Sequence, residues 1–373
     1  MKKACISQLQ SQRVCRGRSR ESTVVREKAR CLGIAGLALI ALLAGSRATA
    51  QSSAPIKAIF DTDFAVPPQD DGMALILALK SPELKILGIT TVAGNETVQR
   101  STSDALRVLE IADRTDIPVY QGFYRPFVHE KSDYATHVHG KWWSDEPPAP
   151  PPGGFAKKQA GKESALDFII RTVDENPNQI TIIALGPLTN IAAAIREQPG
   201  FAAKVKRIVI MGGAIAYLEG GGGNVTPNAE FNFWVDPEAA QAVIRSGIPC
   251  VLTPLNVTRK TAFTKRDYEH VVAANTPLTN LMKARMDAFF ERQPDAKPQM
   301  YDQLTVASLI DPTLVKAQDL FVDIDIAHGP DYGASIGFPK IWEYGEGAHK
   351  VSVQYDVDAN RFMEMFVNRV TRP

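Results

Sequence analysis

From residue 56 onward, short apolar runs alternate with longer stretches in which apolar residues recur every three or four positions. The runs IKAIF (56–60), LKILGITTVAG (84–94), ITIIAL (180–185), KRIVIMGG (206–213) and PCVLTPL (249–255) predict strands. DGMALILALKS (71–81), TSDALRVLEIA (102–112), PLTNIAAAIRE (187–197) and PEAAQAVIRS (237–246) predict helices, the last with Asp236 as N-cap and Pro237 in its first turn. Continuous apolar strands joined by helices argue for an α/β fold, an open and mostly parallel central sheet with helices on both faces. One domain over residues 51–373 accounts for the pattern. Sheets of this kind carry ligand sites at the carboxyl ends of their strands.

Two segments break the rhythm. Residues 123–162 hold THVHGKWW and the proline-rich EPPAPPPGG, a length without an element that reads as a functional loop or a disordered one. EGGGGNVTPNAEFN (219–232) reads as a flexible loop running into a dense polar cluster.

The N-terminus is of another character. Residues 1–50 contain ten Lys/Arg and two Glu, then the apolar run CLGIAGLALIALLAG (31–45), then ATA before Gln51. That order reads as a secretory signal peptide, with an uncleaved anchor as the other reading, and a periplasmic or secreted protein is expected. The run is rather short for a membrane span. The chain has 42 basic and 41 acidic residues; removing ten and two leaves 32 and 39, a net charge of −7 for residues 51–373. A mildly acidic body argues against nucleic acid and anionic membrane as partners. Cys5, Cys15 and Cys31 leave with the leader, so Cys250 alone remains, with neither a disulfide framework nor a thiolate metal site.

The chemistry concentrates in KAIFDTDFAVPPQDDGMALILAL (57–79), where Asp61, Asp63, Asp70 and Asp71 fall within eleven residues between a strand and a helix. Carboxylates this close repel, and the simplest device that holds them is a hard cation such as Ca²⁺ or Mg²⁺. Asp70 and Asp71 also stand at a helix N-terminus, where the dipole favours negative charge, so a solvated acidic cap without metal is a second reading. A strand followed by Asp-x-Asp also opens phosphotransferases of the haloacid dehalogenase type, although Phe64-Ala65 stand where those commonly have Gly-Thr or a similar pair.

Other segments narrow the choice. ITTVAGNET (89–97) ends a strand with Asn95; ALGPLTNIA (184–192) is a strand, turn and helix; VIMGG (209–213) ends another strand. NAEFNFWVDPEAA (228–240) places Glu230 and Asn232 two apart, on one side of an extended segment, and YDQLTVASLIDP (301–312) puts Asp302 at a helix start. Together, and in this order, these segments resemble the nucleoside hydrolases of the inosine-uridine preferring N-ribohydrolase type, over about Lys57 to Arg369. The resemblance implies Ca²⁺ held by Asp63, Asp71, Asp302 and the Leu185 carbonyl, with Asp61 as support behind it. It implies ribose contacts from Asp70, Asn95, Met211, Asn224, Glu230 and Asn232, with Asp63 as general base toward water. It further implies a small-molecule nucleoside as partner and a homodimer or homotetramer.

Two departures stand out. The first acidic loop has six residues between Asp63 and Asp70 where the family usually has three, and its two prolines are expected to stiffen the extra length. Tyr301 stands where many members carry a histidine as leaving-group acid. Tyr301 is therefore expected to stack on the base, with Trp142, Trp143 and Trp234 as further aromatics, and His139, beside His137 in THVHG, to supply the proton. These departures keep open a reading from another class, a secreted nucleoside- or sugar-binding protein with impaired catalysis.

Overall fold

The computed structural model describes residues 54–134, 136, 144, 146–343 and 345–372. The leader over 1–50 and the segment with His137, His139, Trp142 and Trp143 lie outside the described residues. Among the described residues nine strands form one sheet: β1 (Ile56–Thr62), β2 (Leu84–Thr91), β3 (Val119–Gln121), β4 (Thr181–Ala184), β5 (Arg207–Met211), β6 (Cys250–Thr253), β7 (Val315–Ile324), β8 (Ser335–Phe338) and β9 (His349–Val357). Their spatial order is β3-β2-β1-β4-β5-β6-β9-β7-β8. All pairs from β3 to β9 are parallel, and β7 runs antiparallel to both β9 and β8.

Helices cover both faces. On one side α1 (Asp70–Leu79), α2 (Val98–Ile111), α11 (Asp302–Ile310) and α12 (Ala359–Val370) bury an apolar cluster that includes Leu75, Leu109, Leu304 and Phe366. On the other, α3 (Ala165–Glu175), α4 (Thr189–Glu197), the short α5 (Phe201–Lys204) and α7 (Pro237–Ile244) enclose Ile59, Phe168, Ile182 and Val243. Two-sided burial explains why β1, β4 and β5 read as unbroken apolar runs. The remaining helices are α6 (Phe231–Val235), α8 (Leu255–Thr258), α9 (Lys265–Ala273) and α10 (Pro277–Arg292). Asp236 caps α7 as expected, its carboxylate accepting from the Ala239 amide at 3.1 Å, and Cys250 is a buried free thiol. Among the described residues no helix is long and apolar enough to cross a membrane.

The topology fixes where a site can be. From β1 the chain runs outward one way through β2 to β3 and then returns to the other side through β4, β5 and β6. The crevice at the carboxyl ends of β1 and β4 is therefore a topological switch point, where loops part and leave room for a ligand. Asp61 pairs in register with Thr90 of β2 and Ala184 of β4, so Asp63, Val92 and Leu185 emerge together just past the sheet edge.

Candidate active site

The long first loop is packed, not loose. Phe64, Ala65 and Val66 are buried, and the Val66 amide donates to Asp104 at 3.4 Å. The loop lies so close over the start of α1 that a Cβ on Gly72 would sit 2.6 Å from the Ala65 carbonyl and from the Pro67 nitrogen. The six-residue loop thus folds back and delivers Asp70 and Asp71 to the switch point. There, carboxylate oxygens of Asp70, Asp71 and Asp302 lie within 4.8 Å of one another.

Asp63 occupies a slot walled by glycines. A Cβ on Gly94 would stand 2.1 Å from its Oδ2, and one on Gly186 would stand 2.9 Å from its Oδ1. The Asn95 amide donates to Asp63 Oδ2 at 2.5 Å, and the Asn95 side-chain amide donates to Asp71 Oδ2 at 3.1 Å, so Asn95 bridges the two acids. The Thr62 hydroxyl also donates to Asp71. Asp63 Oδ1 is buried with no hydrogen-bond partner.

Behind them Asp61 Oδ2 accepts from the Thr90 hydroxyl at 2.5 Å and from Asn190 Nδ2 at 2.8 Å. Asn190 also donates to the Thr91 carbonyl and accepts from the Phe123 amide, locking the β2 end to the turn after β4. Sequence reasoning passed over Thr62, Thr90 and Asn190. The last stands in the GPLTN turn, 129 residues from Asp61, so nothing local in the sequence marks the contact.

The residues that the resemblance assigns to the sugar depart from expectation in one respect. Glu230 itself is extended (φ −85°, ψ 151°), but it is the N-cap of α6, so Asn232 is helical and not part of an extended segment. The reason is capping: Glu230 accepts from the Asn232 and Phe233 amides at 2.9 and 3.2 Å, and also from the Gly213 amide at 2.9 Å. Asn232 Nδ2 donates to the carbonyls of Leu185 (2.8 Å) and Met211 (3.0 Å), tying α6 to the ends of β4 and β5. Met211 is buried with its sulfur 3.5 Å from Asn232 Nδ2. Asn224 is exposed and accepts from the Phe231 amide at 3.0 Å.

The glycine loop before Asn224 is not free either. Arg259 donates to the carbonyls of Gly220 (2.9 Å), Gly222 (2.8 Å) and Gly223 (2.8 Å), and Asn256 donates to those of Ile215, Leu218 and Glu219. Glycine suits it because carbonyls converge on one cation and because Gly222 adopts φ +112°.

Burial and mutual repulsion dominate the electrostatics of these carboxyls. Burial first, then Asp71 and Asp70, push the Asp63 carboxyl well above its usual range. Burial and then Asp70 raise Asp71 to about 7; burial raises Asp70, and burial with Asp70, Asp71 and Asp63 raises Asp302 well above the usual range. Burial raises Glu230 to about 7 against its backbone donors, and Asp61 to about 6. A buried carboxyl raised in this way destabilises the fold as pH climbs, because the folded state holds a proton that the unfolded state releases near pH 4. In chelator, Asp61→Asn is therefore expected to melt at about the wild-type temperature at pH 4 and above it at pH 8, the difference opening from about pH 4 and fully developed above about 6. Thermal melts across that range check this; a difference independent of pH would refute it.

Asp70 and Tyr301 line a cavity of about 720 Å³ with Phe289 and Arg285. Tyr301 is half-buried, its hydroxyl donates to Gln299 Oε1 at 2.5 Å, and burial followed by the Asp70 charge raises its phenol. An aromatic wall fits this placement better than a proton donor, and Tyr301→Phe is expected to keep turnover within about threefold of wild type, far short of the loss a general acid would cause. Steady-state rates on inosine check it, and loss of activity would assign the phenol proton a role.

The sequence model of the inosine-uridine preferring nucleoside hydrolases matches residues 58–364, nearly all of the described fold. The chain belongs to this nucleoside hydrolase family. A pyrimidine-specific ribonucleoside hydrolase of Salmonella paratyphi A is 36% identical over 319 residues, covering 84% of this chain and 97% of that protein. A solved plant nucleoside hydrolase superposes with a TM-score of 0.73 at 32% identity, covering 86% of this chain and all of the other. A purine-preferring ribonucleoside hydrolase from Gardnerella vaginalis gives 0.69 at 29%, covering 84% and 98%. This nucleoside hydrolase therefore acts on N-glycosyl bonds, and its small-molecule substrate is a nucleoside.

Proposed function

We propose that the protein is a Ca²⁺-dependent ribonucleoside hydrolase that splits the N-glycosidic bond into ribose and free base. The observation that carries this is the convergence of Asp70, Asp71 and Asp302 within 4.8 Å beside Asp63, whose Oδ1 has no partner. An all-oxygen donor set, buried and mutually repelling, suits a hard cation and no thiophilic one. Asp63, Asp71, Asp302 and the Leu185 carbonyl would hold it, and Asp70 adds a carboxylate beside them. When bound, the ion supplies charge compensation and an anchor for hydroxyl and water oxygens.

The protein groups do the rest. Asp63 takes the proton from water as it attacks C1′, being fixed by the Asn95 amide and screened from bulk solvent. Asp70, Asn95, Glu230 and Asn232 hold the ribose hydroxyls, so the sugar is fixed before the bond stretches. Buried carboxylates on that side stabilise the positive charge that grows on the ring. Met211 packs against the sugar, and Asn224 reaches it from the clamped loop. His139 is assigned leaving-group help where a base needs a proton. Secretion through the leader and assembly as a dimer or tetramer complete the proposal.

The alternative of a binding protein is not favoured: Asn95 holds both Asp63, the residue assigned as base, and Asp71, and the relatives are hydrolases. Turnover in ¹⁸O-water tests the reaction class. Hydrolysis places the label on ribose C1 and needs no phosphate; label absent from the sugar, or dependence on phosphate, contradicts the proposal.

A further inference from the structure

The base-side cavity holds the acid-poor half of the site. Besides Asp70, its ionisable lining groups are Tyr301, Arg285 and Arg292. The two arginines stand seven apart on α10, two helical turns, so they share a face, and both line the cavity. Among the described residues neither guanidinium makes an ion pair within 4.0 Å or a side-chain hydrogen bond. Glu96 and Asp104 feel the charge of Arg285 from a distance, and Asp104 is already paired with Arg100 at 2.9 Å. Gln299 accepts from Tyr301 through Oε1, which leaves its Nε2 hydrogens to donate.

A base that leaves a riboside takes the bonding electron pair with it. The charge lands on the ring nitrogen and spreads to ring carbonyl oxygens when the base has them. Two cations and an amide donor beside that position are the complement of an anion, not of a base awaiting a proton.

We infer that Arg285 and Arg292, with Gln299, stabilise the departing base as an anion. This deepens the hydrolase reading and rests on it. The step balances as follows: the C1′–N bond breaks with both electrons on nitrogen, water oxygen bonds to C1′, and Asp63 takes the water proton. The base anion takes a proton from solvent on release.

A leaving-group comparison tests the inference. Arg285→Gln, Arg292→Gln and the double variant are assayed on uridine and on p-nitrophenyl riboside, whose leaving group carries charge without help. Removing one preorganised donor from a developing anion costs up to 10²–10³ in a closed site, and these more exposed groups are expected to give about tenfold or more on uridine in the double variant. The p-nitrophenyl rate is expected to fall several-fold less. Arg285→Lys should recover part of the uridine rate, and Lys283→Gln, the same charge change on α10 outside the cavity lining, should change neither. Equal losses on both substrates, or an unchanged uridine rate in the double variant, overturn the inference. A wild type inactive on both substrates removes the hydrolase reading, and the inference with it.

Discussion

Asp63→Asn is expected to fold normally and to lose turnover by roughly 10²–10⁴-fold, the range for removal of a general base. The fold should survive because the amide oxygen can still accept from the Asn95 backbone and the glycine walls admit a side chain of the same shape. Removing the charge also relieves a buried carboxyl crowded by Asp71 and Asp70. In chelator the variant should therefore melt no lower than wild type. Rate loss alone does not separate proton transfer from a role in holding the ion, so calcium affinity is measured by calorimetry alongside turnover. Near wild-type turnover would remove Asp63 from the centre of the mechanism.

Removal of calcium is the second large effect. Chelation should abolish turnover and lower the melting temperature, because an ion bound only by the folded state adds stability that grows with the logarithm of its concentration, about 2.7 kcal/mol at a hundred times Kd. The loss should grow with pH and be greatest above about pH 7, where Asp71 and Glu230, each raised to about 7, are ionised with no counter-charge. Calcium should restore both properties. Full activity in chelator, or elemental analysis that finds tightly held zinc, would contradict the assigned ion.

The parts of the fold that sequence made legible are those buried on both sides. β1, β2, β4, β5 and β6 are continuous apolar runs, and the helices between them follow from periodicity. β7, β8 and β9 were not read because they form the antiparallel edge, where half-exposed stretches such as KAQDLFVDI and KVSVQYDV mix polar with apolar residues. α10 was missed for a related reason: its faces are only weakly divided between apolar and charged residues.

The site was legible where its residues follow strand ends directly. Asp61, Asp63, Asn95, Leu185 and Met211 all sit in or just past such ends, and topology brings them together. Contacts between distant turns were not legible. The Arg259 clamp joins residues 36 to 39 apart, and nothing local marks Gly220, Gly222 and Gly223 as its acceptors. The role of Glu230 as a helix cap was hidden by the shortness of α6, five residues with no visible periodicity.

The most direct test of the account is release of free ribose. Purified protein with calcium is incubated with uridine, inosine and adenosine, and reducing sugar is measured against time beside the Asp63→Asn variant. The account predicts steady, multiple-turnover release of ribose with an equal amount of free base from at least one of the three, absent in the variant. Binding of these nucleosides without release of sugar would contradict it.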